Sequence, residues 1–157
     1  MKKYLFLPAI ITGLGLVPAL TPAAQASPLP DYYLGLGVRA FLQDPTSLVI
    51  NSKAKLFDLG SPTPTLSARP AVMFSSDGVE ARLPLTVDVP VAPNIYPYAG
   101  GGIAYNADRL SAVEPMVTGG LDIGVGSNLY LGTNLNLIFH SGGETDTEAY
   151  FTLNYAL

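Results

Sequence analysis

His140 is the only histidine of the chain, and Ser141 follows it directly. With Glu144 and Glu148 close behind, these are the residue types that hydrolases use as base, nucleophile and orienting acid. A general base must lie within hydrogen-bonding distance of its nucleophile. Adjacent side chains of a strand point to opposite faces, so His140 and Ser141 would diverge. We therefore expect no catalytic residue here, and a polar histidine at the edge of a loop.

Two other kinds of site find little support. Gly100-Gly101-Gly102 is followed by no Lys-Ser or Lys-Thr pair and opens no predicted helix, so it is no phosphate-binding loop. A single histidine and no cysteine argue against a transition-metal site. The acidic loops lack the spacing of a calcium-binding EF-hand. We expect no cofactor, no metal and no disulfide.

The first residues predict the cellular compartment. Two lysines precede an uncharged, mostly apolar stretch over 4–20, and Ala24-Gln25-Ala26 has the small residues of a cleavage site. This pattern predicts a cleaved secretory signal peptide over 1–26 and a single domain over 27–157. The alternative is an uncleaved amino-terminal anchor. No later uncharged apolar run approaches the roughly 20 residues of a membrane helix.

The charge balance narrows the class of partner. The chain has eight basic and 12 acidic residues, so without its two leader lysines the net charge is −6. No basic surface remains for nucleic acid. The mean hydropathy is nevertheless +0.33, and only 13% of residues are charged. An exported domain of this composition must place a large apolar surface somewhere.

From Asp31 onward, apolar and polar residues alternate in runs of about ten, separated by turn residues. A period of two predicts strands, and short connections favour antiparallel neighbours. The last run, Ala149 to Leu157, keeps the pattern, as expected where a closed barrel pairs its last strand with its first. The sequence predicts an all-β, eight-stranded antiparallel up-and-down transmembrane β-barrel, with strands over 32–41, 47–57, 66–75, 79–89, 95–106, 113–125, 129–139 and 148–157.

The two faces of the predicted strands differ in kind. One face carries some thirty bulky apolar groups, too many for the narrow interior of an eight-stranded barrel, so we expect them outside against lipid. The other face carries five positive and five negative charges, a balance that suits a narrow interior. The predicted polar network of the interior is Arg39, Lys53, Lys55, Arg69, Glu80, Arg82, Asp88, Glu114, Asp122 and Glu148. The pattern leaves open which face of the glycine-rich strand 95–106 points inward.

Tyrosines near the predicted strand ends have two interpretations. They belong either to aromatic belts at a membrane interface or simply to the residues that favour strands. They are Tyr32, Tyr33, Tyr96, Tyr98, Tyr105, Tyr130 and Tyr155.

Three segments together resemble a known family. Pro97-Tyr98-Ala99-Gly100-Gly101-Gly102-Ile103-Ala104-Tyr105, the run Gly119 to Val125 and the hairpin Gly126 to Gly132 resemble small outer-membrane barrels of the OmpA-transmembrane-domain and OmpX type. Tyr155-x-Leu157 stands where that family usually ends in Tyr-x-Phe. The resemblance thus implies a carboxyl-terminal assembly signal formed by Phe151, Leu153, Tyr155 and Leu157, with the barrel-assembly machinery and periplasmic chaperones as partners.

These observations predict a small monomeric barrel in the outer membrane of a diderm bacterium, in contact with its lipid. We expect a structural or surface-interaction role, because side chains fill an eight-stranded interior whereas wide pores need about 16 strands. One alternative is a soluble periplasmic or secreted β-barrel that binds a small apolar ligand inside. A third hypothesis is a lipid A-modifying enzyme. The deacylases of that class resemble a His-x-Ser pattern, whereas His140 and Ser141 are adjacent.

Overall fold

The computed structural model describes residues 29–39, 46–60, 64–76, 78–107 and 113–157. The predicted leader over 1–26 and the end of the first predicted strand, 40–41, lie outside them. The described residues contain no helix long and apolar enough to cross a membrane. Their strands are β1 Tyr32–Arg39, β2 Ser47–Asp58, β3 Thr65–Ala68, β4 Ala71–Ser75, β5 Gly78–Asp88, β6 Ile95–Asn106, β7 Val113–Gly124, β8 Leu129–Phe139 and β9 Thr145–Ala156.

Hydrogen bonding closes these strands into a barrel. β1 pairs antiparallel with both β2 and β9, and Leu36 lies opposite Leu153 in the closing pair. β3 and β4 both lie between β2 and β5, so the nine segments form eight barrel strands. The predicted all-β architecture, a closed antiparallel barrel of eight strands in sequential order, is confirmed.

The third barrel strand is interrupted at Arg69-Pro70, where the sequence predicts one continuous strand over 66–75. Proline has no N–H to give to a ladder. Hydrogen bonds nevertheless cross the gap: Ser52 N donates to Pro70 O at 2.9 Å, and Arg69 N donates to Pro84 O at 3.0 Å. Because burial still alternates across the gap, Arg69 keeps its inward direction.

The last strand starts earlier than the sequence predicts. β9 begins at Thr145 rather than at 148, because Thr145 pairs with Phe139 at the end of β8. The tight β8–β9 connection therefore spans only residues 140–144.

Burial alternates along most of the barrel wall, except at the end of β2 and in the glycine-rich parts of β6 and β7. Among the described residues, bulky apolar side chains are exposed on the outer face, including Leu34, Leu36, Val38, Leu83, Leu85, Val87, Leu131, Leu135, Phe151 and Leu153. The inner face instead buries charged, amide and hydroxyl side chains. In the glycine-rich β6, Tyr96, Tyr98 and Ala104 are buried, so the even-numbered residues of that strand face inward.

The tyrosines divide between the two faces. Tyr32, Tyr105 and Tyr155 are exposed outside, but Tyr33, Tyr96, Tyr98 and Tyr130 are buried inside the barrel. The belt interpretation is therefore wrong for those four. Inward-facing glycines make the room: a Cβ at Gly120 would collide with the Tyr98 hydroxyl, which donates to Thr133 O at 2.9 Å.

Candidate functional site in the barrel interior and at its loop end

The interior holds two separate groups of ion pairs. The first, here called the terminal cluster, lies toward the end where β1 begins and β9 ends, and consists of Lys53, Arg69, Asp88 and Asp122. Arg69 Nη2 lies 2.9 Å from Asp88 Oδ1, and its Nη1 lies 2.9 Å from Asp122 Oδ2. Lys53 Nζ lies 3.4 Å from Asp88 Oδ2. Two cations thus face two anions.

Arg69 is the centre of the terminal cluster. Its guanidinium donates to the Tyr33 hydroxyl at 2.5 Å and stacks on the Tyr98 ring, with Cζ 3.6 Å from the ring centroid. Asp88 accepts a further hydrogen bond from Ser67 at 2.5 Å. The buried charges are therefore stabilised by hydroxyl hydrogen bonds and by the Tyr98 ring, in addition to their opposite partners.

The second group, here called the loop cluster, consists of Arg39, Glu80, Arg82 and Glu148 near the opposite end. Arg39 Nη1 lies 3.0 Å from both Glu80 Oε2 and Glu148 Oε2. Arg82 binds Glu148 through two hydrogen bonds of 2.9 Å each. Asn136 Nδ2 donates to Glu148 Oε1 at 2.6 Å. This cluster is also balanced, two against two.

Apolar side chains separate and border the clusters. Val49, Ala71, Met73 and Tyr150 form a buried group that lies between the clusters along β2 and β9. A second group closes the terminal end and consists of Leu29, Tyr96, Tyr130 and Ala156. The barrel interior is thus layered along its axis.

Two predicted members of the interior network lie elsewhere. Lys55 is at the terminal rim, where its Nζ lies 2.7 Å from the exposed Asp31. The ladder of β2 with β3 shifts register directly after Lys55, which ends the regular alternation there. Glu114 lies at the loop end, half-buried, and contacts His140 instead of an arginine. The other eight predicted residues form the terminal and loop clusters described above.

His140 bridges two strands at the loop end. It follows β8 directly, and its Nδ1 lies 2.5 Å from Glu114 Oε1 on β7. Its Nε2 lies 2.6 Å from Asp146 Oδ2 on β9. The hydrogen bond to Glu114, followed by the contact with Asp146, raises the pKa of His140 above its ordinary value.

A small pocket lies beneath this bridge. Its volume is about 70 Å³, and its charged lining combines the loop cluster with His140, Glu114 and Asp146. Such a volume admits a few water molecules at most. Ala104, Met116 and Ile138 form a buried apolar group at the same end.

The geometry around His140 differs from that of a hydrolytic site. Both of its ring nitrogens contact carboxylates, so neither contacts the Ser141 hydroxyl. Within the described ranges, no group of three or more histidine or acidic side chains is arranged to hold a metal ion.

Sequence reasoning missed the contacts of His140 because they depend on strand register. β7 and β8 pair so that Met116 lies opposite Ile138, and two residues further on Glu114 lies beside His140. No spacing along the chain reveals that neighbourhood. The stacking of Tyr98 on Arg69 was missed for the same reason, since β6 and the third barrel strand meet only across the interior.

Comparison with known proteins gives similarity of fold. No protein-family model matches the chain, and no curated protein is significantly similar to it. Among solved structures, a protein from the de novo design of transmembrane β-barrels matches with a TM-score of 0.60 and 18% identity, over 82% of this chain and 97% of that chain. The solution NMR structure of the de novo designed TMB2.3 matches with a TM-score of 0.57 and 15% identity, over 82% and 94% of the two chains. The chain therefore has the fold of a small eight-stranded barrel and is similar to designed transmembrane β-barrels.

Proposed function

We propose that this protein is a small integral β-barrel of the outer membrane of a diderm bacterium. The observation that carries the proposal is the reversed polarity of its surfaces: the outer wall is apolar and the inner wall is charged. In water, the exposure of so many leucine and valine side chains would be costly, at roughly 25 cal/mol per Å². Against hydrocarbon the same surface carries no such cost.

Strand length is consistent with the proposal. A tilted strand needs about 9–11 residues to cross the hydrocarbon core. Six of the described strands have that length or slightly more: β5 and β8 have 11 residues, and β2, β6, β7 and β9 have 12. Barrel closure also leaves no strand edge unpaired in lipid.

The soluble alternative requires the opposite arrangement of faces. A carrier of a small apolar ligand needs an apolar inner surface, whereas Arg69, Asp88 and Asp122 occupy the interior here. The enzymatic alternative lacks a contact between His140 and a hydroxyl nucleophile in the described residues. We therefore propose a protein without catalytic activity.

We further propose that the interior is a plug and that the role is structural or concerns surface interactions. The proposal is supported by the positions of the terminal and loop clusters, which lie at different levels inside the barrel with a buried apolar group between them. Liposome swelling with a small sugar tests this point. We expect no uptake by vesicles that carry the barrel, while a 16-stranded porin as control admits the sugar. Sugar uptake at comparable rates would contradict a plugged interior.

Biogenesis follows from the same proposal. A signal peptide over 1–26 would direct export, and periplasmic chaperones and the barrel-assembly machinery would act on the monomer. Phe151, Leu153, Tyr155 and Leu157, which all point outward, would serve as the assembly signal. A relationship to the OmpA and OmpX type of barrel is part of this proposal.

Fractionation of a diderm host that expresses the full chain tests the location. We expect the protein in the outer-membrane fraction, resistant to carbonate extraction, and with different mobility on a denaturing gel before and after boiling. A soluble, detergent-free protein in the periplasm would overturn the proposal.

A further inference from the structure

His140 connects three strands through one side chain. It lies at the end of β8, and its two ring nitrogens contact Glu114 of β7 and Asp146 of β9. Backbone hydrogen bonds also join the two ends of the turn: His140 N donates to Glu144 O at 2.9 Å, and Gly143 N donates to His140 O at 3.0 Å. The contact of the imidazole with Glu114 additionally fixes this turn to β7.

Both contacts together require a particular protonation state. A neutral imidazole has one N–H donor and one acceptor nitrogen. An ionised carboxylate can only accept. With both carboxylates ionised and the ring neutral, one of the two short contacts would place two acceptors against each other, so the geometry fits the imidazolium ion between two carboxylates.

We propose that His140 is a pH-controlled latch: doubly protonated, it ties the β8–β9 turn to β7, and on loss of a proton it releases one of its two carboxylates. The proposal concerns a property of the loop end and goes beyond the proposed role in the membrane.

The charged groups around His140 determine which protonation state of its ring is favoured. Glu114 faces the ring from β7 and Asp146 faces it from β9, while the pocket beneath adds Arg39 from β1, Glu80 and Arg82 from β5, and Glu148 from β9. The loop cluster is neutral in itself. The latch site thus carries a net charge of −1 when closed and −2 when open.

The raised pKa of His140 determines the pH range in which the latch is closed. Because the pKa of His140 is raised in the folded protein, the latch stabilises the turn fully below the ordinary pKa of 6.5. Its contribution is lost as the pH rises through the raised value. The latch is closed in acid and opens on the alkaline side.

NMR of the full barrel domain in lipid nanodiscs tests the latch. With ¹⁵N-labelled histidine, we expect both ring nitrogens of His140 to be protonated at about pH 6, and the ring to lose a proton with a midpoint above the ordinary pKa of 6.5. Amide hydrogen exchange of His140 and Gly143, the two backbone donors of the turn, should accelerate with the same midpoint, after correction for the intrinsic pH dependence of exchange.

Two variants and a matched control separate the latch from a general effect of charge. Glu114→Gln and Asp146→Asn should each weaken proton binding by His140 about tenfold. Glu144→Gln, which removes an exposed carboxylate of the same turn, should leave the midpoint nearly unchanged. Dispersed amide signals of β7 to β9 verify that each variant is folded. A neutral ring at about pH 6, an ordinary midpoint in the unmodified protein, or amide exchange of the turn that does not change with the titration would overturn the proposal.

Discussion

Arg69 is the residue on which the interior of the terminal half depends. It pairs with two buried aspartates and stacks on Tyr98, and the surrounding wall has no other arginine to replace it among the described residues. A buried ion pair adds little net stability compared with apolar residues, but an unpaired buried charge is strongly destabilising. These ion pairs therefore affect the free energy of unfolding most when only one partner of a pair is removed.

Arg69→Met should lower the free energy of unfolding by about 3–5 kcal/mol, because Asp88 and Asp122 lose their shared cation. Urea unfolding in lipid vesicles measures the change. Lys55→Met is the matched control: it also removes a cation paired with an aspartate, but at the exposed rim, so its effect should lie within experimental error. Equal effects of the two substitutions would show that burial does not set the importance of these charges.

The glycines of β7 provide a second test at the residue scale. A Cβ at Gly120 would collide with the Tyr98 hydroxyl and with the Thr133 carbonyl oxygen. The nearest atom to a Cβ at Gly119 would be the Tyr98 carbonyl oxygen, at an ordinary contact distance of 3.6 Å. Gly120→Ala should therefore cost about 1–3 kcal/mol, and Gly119→Ala should be close to neutral. Unfolding midpoints of the two variants compare adjacent positions of one strand. A neutral Gly120→Ala would mean that Tyr98 does not occupy the space above Gly120.

At the scale of the element, each strand has a polar or charged face toward the interior and an apolar face toward the outside. Leu36 lies in the middle of β1 and Tyr32 at its start, and their exposed fractions are similar, 59% and 53%. They differ chiefly in the depth at which a membrane would surround them.

Leu36→Arg should therefore destabilise the barrel in lipid by about 2–4 kcal/mol, and Tyr32→Arg by about 0–1 kcal/mol. Unfolding titrations in vesicles check both values. In a water-exposed barrel the two substitutions would have similar, small effects, and that result would contradict a lipid-facing wall.

Strand patterning was sufficient to predict which side chains share a face. The period of two places Arg39, Arg69, Asp88 and Glu148 on one side without any knowledge of pairing. It did not predict the rim position of Lys55, because the register shift after that residue depends on pairing with β3. The gap at Pro70 was missed because the face that carries Leu66, Val72 and Phe74 keeps its period of two straight through it.

At the scale of the whole molecule, closure turns these faces into an inside and an outside. The closed eight-strand fold was predictable, since short turns and an alternating last strand leave few other arrangements. The partners within the interior were not, because they follow from the stagger of strands around the barrel. Arg82, for example, meets Glu148 although 66 residues separate them.

Nuclear Overhauser contacts between methyl groups and lipid test the lipid-facing wall most directly. In nanodiscs, the methyl groups of Leu36, Leu85 and Leu153 should show contacts to acyl-chain methylenes. The methyl groups of Thr86 and Thr152, buried on the inner face of the same strands β5 and β9, should show none. Water contacts at the three leucines, with no contact to the acyl chains, would contradict a membrane-spanning barrel.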